Sequence, residues 1–226
     1  MAERERPILF SGPMVRALLD GRKTQTRRII NDDWWRCLDP EDAEDRNQAL
    51  AQCPYGQPGD RLWVRETWWN AEGYPGSYPS GEPMPPSRSR LVHYAANGDP
   101  PDTPNRYYPN GLRGRGFAAP EPWARWKQWP SIHMPRWASR LTLEVTGVRV
   151  ERLQDISESD ARAEGVARNT AQEGTWLDYP AGTSAAGWKD PQRSFQSLWE
   201  TINGPDSWAA NPWVWVVEFR RVEAAR

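Results

Sequence analysis

The stretch GRKTQTRR, Gly21–Arg28, gathers one lysine, two threonines and three arginines into eight residues. A lysine amine does proton chemistry only when part of it is neutral, and burial or neighbouring cations lower its pKa by several units. Arg22, Arg27 and Arg28 are such neighbours for Lys23. A neutral Lys23 can take the proton of a threonine hydroxyl, which is a poor nucleophile until a base activates it. Glu66, in the stretch RET, and Glu164, in ARAEG, are the candidate carboxylate partners. The same residues also read as a solvated connection. Cations beyond a helix C-terminus gain about 0.3–1 kcal/mol each from the helix dipole, and exposed ion pairs contribute little.

The elements that must position these groups follow from periodicity and punctuation. Ile8 to Phe10 read as a short strand, and Ser11 caps a helix with Pro13 in its first turn, Met14, Leu18 and Leu19 on one face and Gly21 as its stop. Residues 22–28 are therefore expected as a loop leaving the helix end. After a polar, acidic stretch over 31–47, Gly56, Pro58 and Gly59 make a turn into a strand, in which Leu62, Val64 and Glu66 alternate with Trp63 and Arg65.

Residues 70–129 are crowded with Pro, Gly, Ser and Arg, and read as a Pro/Gly/Trp-rich insertion with one strand at 91–95 and no conventional core of its own. Farther on, Leu141, Leu143 and Val145 alternate, Gly147 marks a bulge, and Val148 and Val150 resume the strand. Ser157 with Asp160 opens a short helix through Glu164. A helix from Pro191 carries Phe195, Leu198, Trp199 and Ile202 on one side and stops at Gly204. Trp213 to Val222 is a strand, nearly continuously apolar up to Phe219, expected to be buried on both faces or to close a barrel, with the first and last strands close together.

The chain has 226 residues, enough for one substantial domain, and 29 Lys and Arg against 30 Asp and Glu give a net charge of −1. Bulk charge therefore does not hold a polyanion, and any nucleic-acid contact needs a local patch. Cys37 and Cys53 have no CxxC spacing and His93 and His133 lie far apart, so neither a metal site nor a disulfide framework is expected. The charged start MAERERPILF is unlike a signal peptide, and no apolar run is long enough for a membrane span, so a cytoplasmic location is expected. Most of the fifteen tryptophans are expected to be structural, because a stacking platform for bases uses only a few aromatics.

The motifs GRKTQTRR, GQPGDRLWVRE, LTLEVTGVRVERLQDIS, ARAEG and WVWVVEFRRV, with SIHMPRWASR at 131–140, resemble the ASCH superfamily, relatives of the PUA-like barrels. The likeness is nearest to ASCH-type proteins of bacteriophages and prophages, which would place this one in the host cytoplasm. The resemblance implies an α+β fold: a PUA-like, mostly antiparallel β-barrel with three short helices and long irregular insertions, in a single domain over 1–226. In ASCH enzymes that hydrolyse N4-acetylcytidine, the loop lysine, its second threonine and a glutamate of the later helix act together. These fall on Lys23, Thr26 and Glu164. The implied activity is a metal-independent amidohydrolase, without cofactor, that frees the exocyclic amine of a modified cytosine nucleoside, alone or in RNA. Two routes are open: Thr26 attacks the acyl carbonyl after Lys23 takes its proton, or Lys23 and Glu164 activate water while Thr26 polarises the carbonyl.

Arg22, Thr24, Arg27, Trp63, Arg65, Glu66 and Trp68 are the expected substrate-binding residues. The competing classes are a non-catalytic RNA or nucleic-acid binding module, using Arg22, Lys23, Arg27, Arg28, Arg65, Arg113 and Arg115 on phosphates and Trp63, Trp68 or Trp69 on bases, and a phage accessory protein acting on a host partner.

Overall fold

A computed structural model describes residues 4–30, 42–73, 90–179 and 186–222. The first three residues, most of the acidic stretch, Cys37 and residues 74–89 of the expected insertion lie outside the described residues. The chain forms two compact units: Met1–Ile8, Arg16–Trp63 and Leu141–Arg226 make the first, and Leu9–Val15 with Val64–Arg140 make the second.

Most of a five-stranded sheet belongs to the first unit. Its strands are β1 (Glu5–Leu9), β2 (Gln25–Ile29), β3 (Arg61–Arg65), β7 (Thr142–Arg152) and β8 (Trp213–Val222), in the order β1-β3-β7-β8-β2. β8 has β7 on one side and β2 on the other, both antiparallel, whereas β1 pairs with β3. The first and last strands are thus not neighbours. β1 and β2 are the two edges, so the sheet does not close into the expected barrel among the described residues. The register of β7 against β8 shifts between Val145 and Gly147, the bulge expected at that glycine.

β8 is apolar over 213–217 because both of its faces are covered there: Val214, Trp215, Val216 and Val217 are buried, as is Phe219 beyond Glu218. Among the described residues, four α-helices accompany the strands: α1 (Gly12–Leu19), α2 (Ala43–Ala51), α3 (Glu158–Ala163) and α4 (Pro191–Asn203). α2 answers to no expected element. Ser157 caps α3 by accepting from the Asp160 N–H, and Asp190 caps α4 by accepting from that of Gln192. α4 buries Phe195, Leu198 and Trp199, as its spacing requires, while Ile202 is exposed.

The described part of the stretch, residues 70–73 and 90–129, is more ordered than its composition predicts. β4 (Trp68–Gly73), β5 (Val92–Tyr94) and β6 (Ala124–Trp129) form an antiparallel sheet with β4 in the centre. Alternation along β4 gives each face its own small core. Trp68 packs with Met134 and Ala138, and Ala71 with Ala119, Ala124 and Trp126. Buried tryptophans supply the apolar area that these short strands otherwise lack. Asp102 organises the longest connection, accepting from the backbone N–H groups of Leu112, Arg113 and Ala118.

No helix among the described residues is long and apolar enough to cross a membrane.

Candidate functional site

Half of the GRKTQTRR stretch is a strand rather than a loop. Gly21, at φ +72°, ends α1, and β2 begins at Gln25. Between them, three successive residues clasp the end of α3. The Thr24 N–H donates to Ala163 O at 2.8 Å, Lys23 Nζ to Glu164 O at 2.8 Å, and an Arg22 guanidinium nitrogen to Gly165 O at 2.9 Å. The last carbonyls of a helix have no partner within it, and here the Lys23 loop provides their donors. Gly165 makes this approach possible. Its φ is +89°, and a Cβ there would fall 2.9 Å from the Cβ atoms of Ala17 and Lys23.

The same approach brings Lys23 and Glu164 together across 141 positions of sequence. Lys23 Nζ donates to Glu164 Oε2 at 2.8 Å, forming an ion pair sealed from solvent, with the lysine 4% and the glutamate 3% exposed. Burial is the largest influence on the Lys23 amine and holds its pKa below the usual lysine range. Glu164 opposes that shift, and Arg28 and Arg27 add to it.

The remaining Glu164 oxygen accepts from Arg27 at 3.1 Å. Arg27, 2% exposed, also donates to Asp160 at 3.3 Å and to Glu151. Arg149 closes the network, donating to Glu151 and Asp160 at 3.0 Å each and to Glu218. Burial disfavours the charged form of Asp160, but Arg149 and Arg27 outweigh it and hold its pKa below the ordinary carboxylate value. For Arg149 the balance is similar: burial lowers its pKa, and Glu151, Asp160 and Glu218 raise it further.

Thr26 is buried like its neighbours, but on the other face of β2. Gln25 and Arg27 turn toward α3, where the Gln25 side-chain amide donates to Asp160 O at 3.0 Å. Strand alternation directs Thr26 the opposite way, level with Val217 of β8 and Val148 of β7. The structure thus joins Lys23 to Glu164 directly, and Thr26 shares their neighbourhood without sharing the face used by Arg27.

The other expected binding residues fall into two groups. Arg22 and Thr24 belong to the clasp on α3, and Arg27 to the carboxylate network. Trp63 lies at the end of the β3 pairing, opposite Thr142. In the second unit, Arg65 donates to Ser131 O at 3.1 Å. Glu66 is 2% exposed and held at both oxygens by Arg140, at 2.9 and 3.0 Å. Arg140 also bonds Asn97 and lies 4.0 Å over the Tyr94 ring. Trp68 is buried edge-on against Trp137, with ring centroids 5.9 Å apart, and so is not presented as an open stacking platform. Arg113 and Arg115 are exposed.

A recess of about 300 Å³ lies beside the clasp, lined by Lys23, Thr24, Leu143, Phe219, Arg220 and Arg221 among others. Its size is at the lower end for small-molecule pockets. No group of three or more His, Cys, Asp or Glu residues that could hold a metal occurs among the described residues. Sequence reasoning misses Glu151, Asp160, Arg149 and Glu218 as parts of the site, and Arg140 as the partner of Glu66. For Arg149 and Glu151 the signal is charge at alternate positions of β7, RVE over 149–151, where an ordinary sheet face would be apolar.

Comparison of the chain with protein-family models, with curated proteins and with solved structures gave no match.

Proposed function

We propose that the chain is an ASCH-type, PUA-like hydrolase that frees the exocyclic amine of an N4-acylated cytosine nucleoside. The observation that carries this reading is the sealed Lys23–Glu164 contact at 2.8 Å, in which burial favours a neutral amine. A buried lysine with a lowered pKa is a general base suited to neutral pH. In the proposed step, the Lys23 amine takes a proton from water as the water oxygen bonds to the acyl carbon. Glu164 holds the resulting ammonium. That ammonium returns the proton to N4 as the C–N4 bond breaks, so one water is consumed and the free cytosine amine and a carboxylic acid leave.

Direct activation of water is favoured over attack by Thr26. Lys23 touches Glu164, whereas Thr26 is directed to the opposite face of β2 from Arg27. A Thr26→Val variant separates the two routes: activity is lowered but survives when Lys23 and Glu164 activate water, and is abolished when Thr26 is the nucleophile.

The test is incubation of the purified protein with N4-acetylcytidine and with acetylated RNA, following cytidine and acetate release for wild type and Lys23→Ala. Release by wild type alone supports the reading. If neither substrate is turned over while an oligonucleotide binds with steep salt dependence, the chain is a nucleic-acid binding module instead.

A further inference from the structure

Each oxygen of Glu164 has one cation, Lys23 on Oε2 at 2.8 Å and Arg27 on Oε1 at 3.1 Å. Arg27 comes from the middle of β2 and is buried among three carboxylates, two from the α3 end and one from β7. Asp160 and Glu164 face it from α3, one helical turn apart, and Glu151 faces it from β7. Phe195 of α4 covers it, with the guanidinium carbon 5.8 Å from the ring centroid. Its Nε is buried with no hydrogen-bond partner among the described residues. The planar fork of arginine is rigid enough to fix several carboxylates at once, which a flexible ammonium does not do.

We propose that Arg27 is a positioning residue for the Lys23–Glu164 pair: it holds the end of α3 through Asp160 and Glu164, and by occupying Oε1 limits how strongly Glu164 stabilises the Lys23 ammonium. The inference rests on the proposed hydrolase for its catalytic meaning, but its physical content stands without turnover. Two effects have the same sign. Arg27 shares the Glu164 charge that would otherwise favour the ammonium, and it is itself a like charge beside Lys23, as is Arg28. The network beyond it, Asp160, Glu151, Arg149 and Glu218, anchors Arg27 in place. Removing Arg27 therefore makes Lys23 a more persistent cation and a poorer base.

The chain contains three lysines, Lys23, Lys127 and Lys189, so lysine side-chain NMR resolves each titration in the intact protein, with Lys23→Ala assigning the signal. In Arg27→Gln, the Lys23 midpoint rises by about half a unit or more, Lys127 and Lys189 stay where they are, and the acid limb of the hydrolysis profile moves up with Lys23. Arg27→Lys, which keeps the cation, returns the midpoint toward wild type, while Arg27→Met does not, whatever packing it restores. Should Arg27→Gln fail to fold, the charge-balanced Arg27→Gln/Asp160→Asn carries the same comparison. An unchanged or lowered Lys23 midpoint in a folded variant overturns the inference. The two readings fail separately: absence of hydrolysis leaves the NMR shift intact, and absence of the shift leaves hydrolysis intact.

Discussion

Replacing Gly165 with alanine tests the close approach that creates the site. Gly165 is in the left-handed region at φ +89°, which costs a residue with a Cβ about 1–2 kcal/mol. The added methyl would also stand 2.9 Å from Ala17 Cβ and Lys23 Cβ and 3.4 Å from Lys23 Cγ. These are not flexible chain ends: the Lys23 N–H is bonded to Ala17 O at 3.0 Å, and the Thr24 N–H to Ala163 O. Relieving such overpacking costs about 1–3 kcal/mol more, so Gly165→Ala is expected to lose roughly 2–5 kcal/mol in all, by the sum of the two effects. Gly174 is the control, because at φ +80° a methyl added there would meet nothing within 4 Å. Gly174→Ala should show the conformational part alone, about 1–2 kcal/mol. Urea unfolding of the two variants measures the difference. Equal losses would refute the claim that the end of α3 is pressed against Lys23.

Stability should also depend on pH through Lys23. Its folded-state pKa lies below the ordinary 10.5, so the unfolded chain binds that proton more tightly. Wild-type stability accordingly rises with pH between the lowered value and 10.5, and the rise is missing from Lys23→Met. A wild-type minus variant difference that stays flat up to pH 10.5 contradicts the lowered amine. In the second unit, Arg140→Met strands the buried Glu66 carboxylate and should cost about 3–5 kcal/mol. The double variant Glu66→Gln/Arg140→Met should recover much of that loss, and denaturant midpoints of both variants check the pair.

Sequence is most informative where burial and periodicity agree. β8 is legible because it is nearly continuously apolar up to Phe219, α3 because Ser157 caps it, and α4 because Phe195, Leu198 and Trp199 recur on one side after Pro191. β2 looks like a loop in sequence because its inward positions are Gln25 and Arg27, which bury their polar ends against α3 rather than contributing an apolar pattern. β4 and β6 are hidden in a Pro- and Gly-rich background, where single tryptophans take the place of a longer apolar repeat. The barrel expectation places the two ends of the sheet together, whereas the pairing leaves β1 and β2 as edges. Lys23 stands out from its arginine neighbours, but nothing local connects it to Glu164, and only the resemblance makes that connection. Asp160 is visible as part of a helix start, and its second role, holding Arg27, depends on the register of β2 against β8.

The most direct test of the central claim is the rate of cytidine release from N4-acetylcytidine by the wild type, Lys23→Ala and Glu164→Gln under identical conditions. The account predicts release by the wild type and a loss of about 10²-fold or more in both variants, the range for removal of a general base. Release that persists unchanged in either folded variant, or no release by the folded wild type, contradicts it.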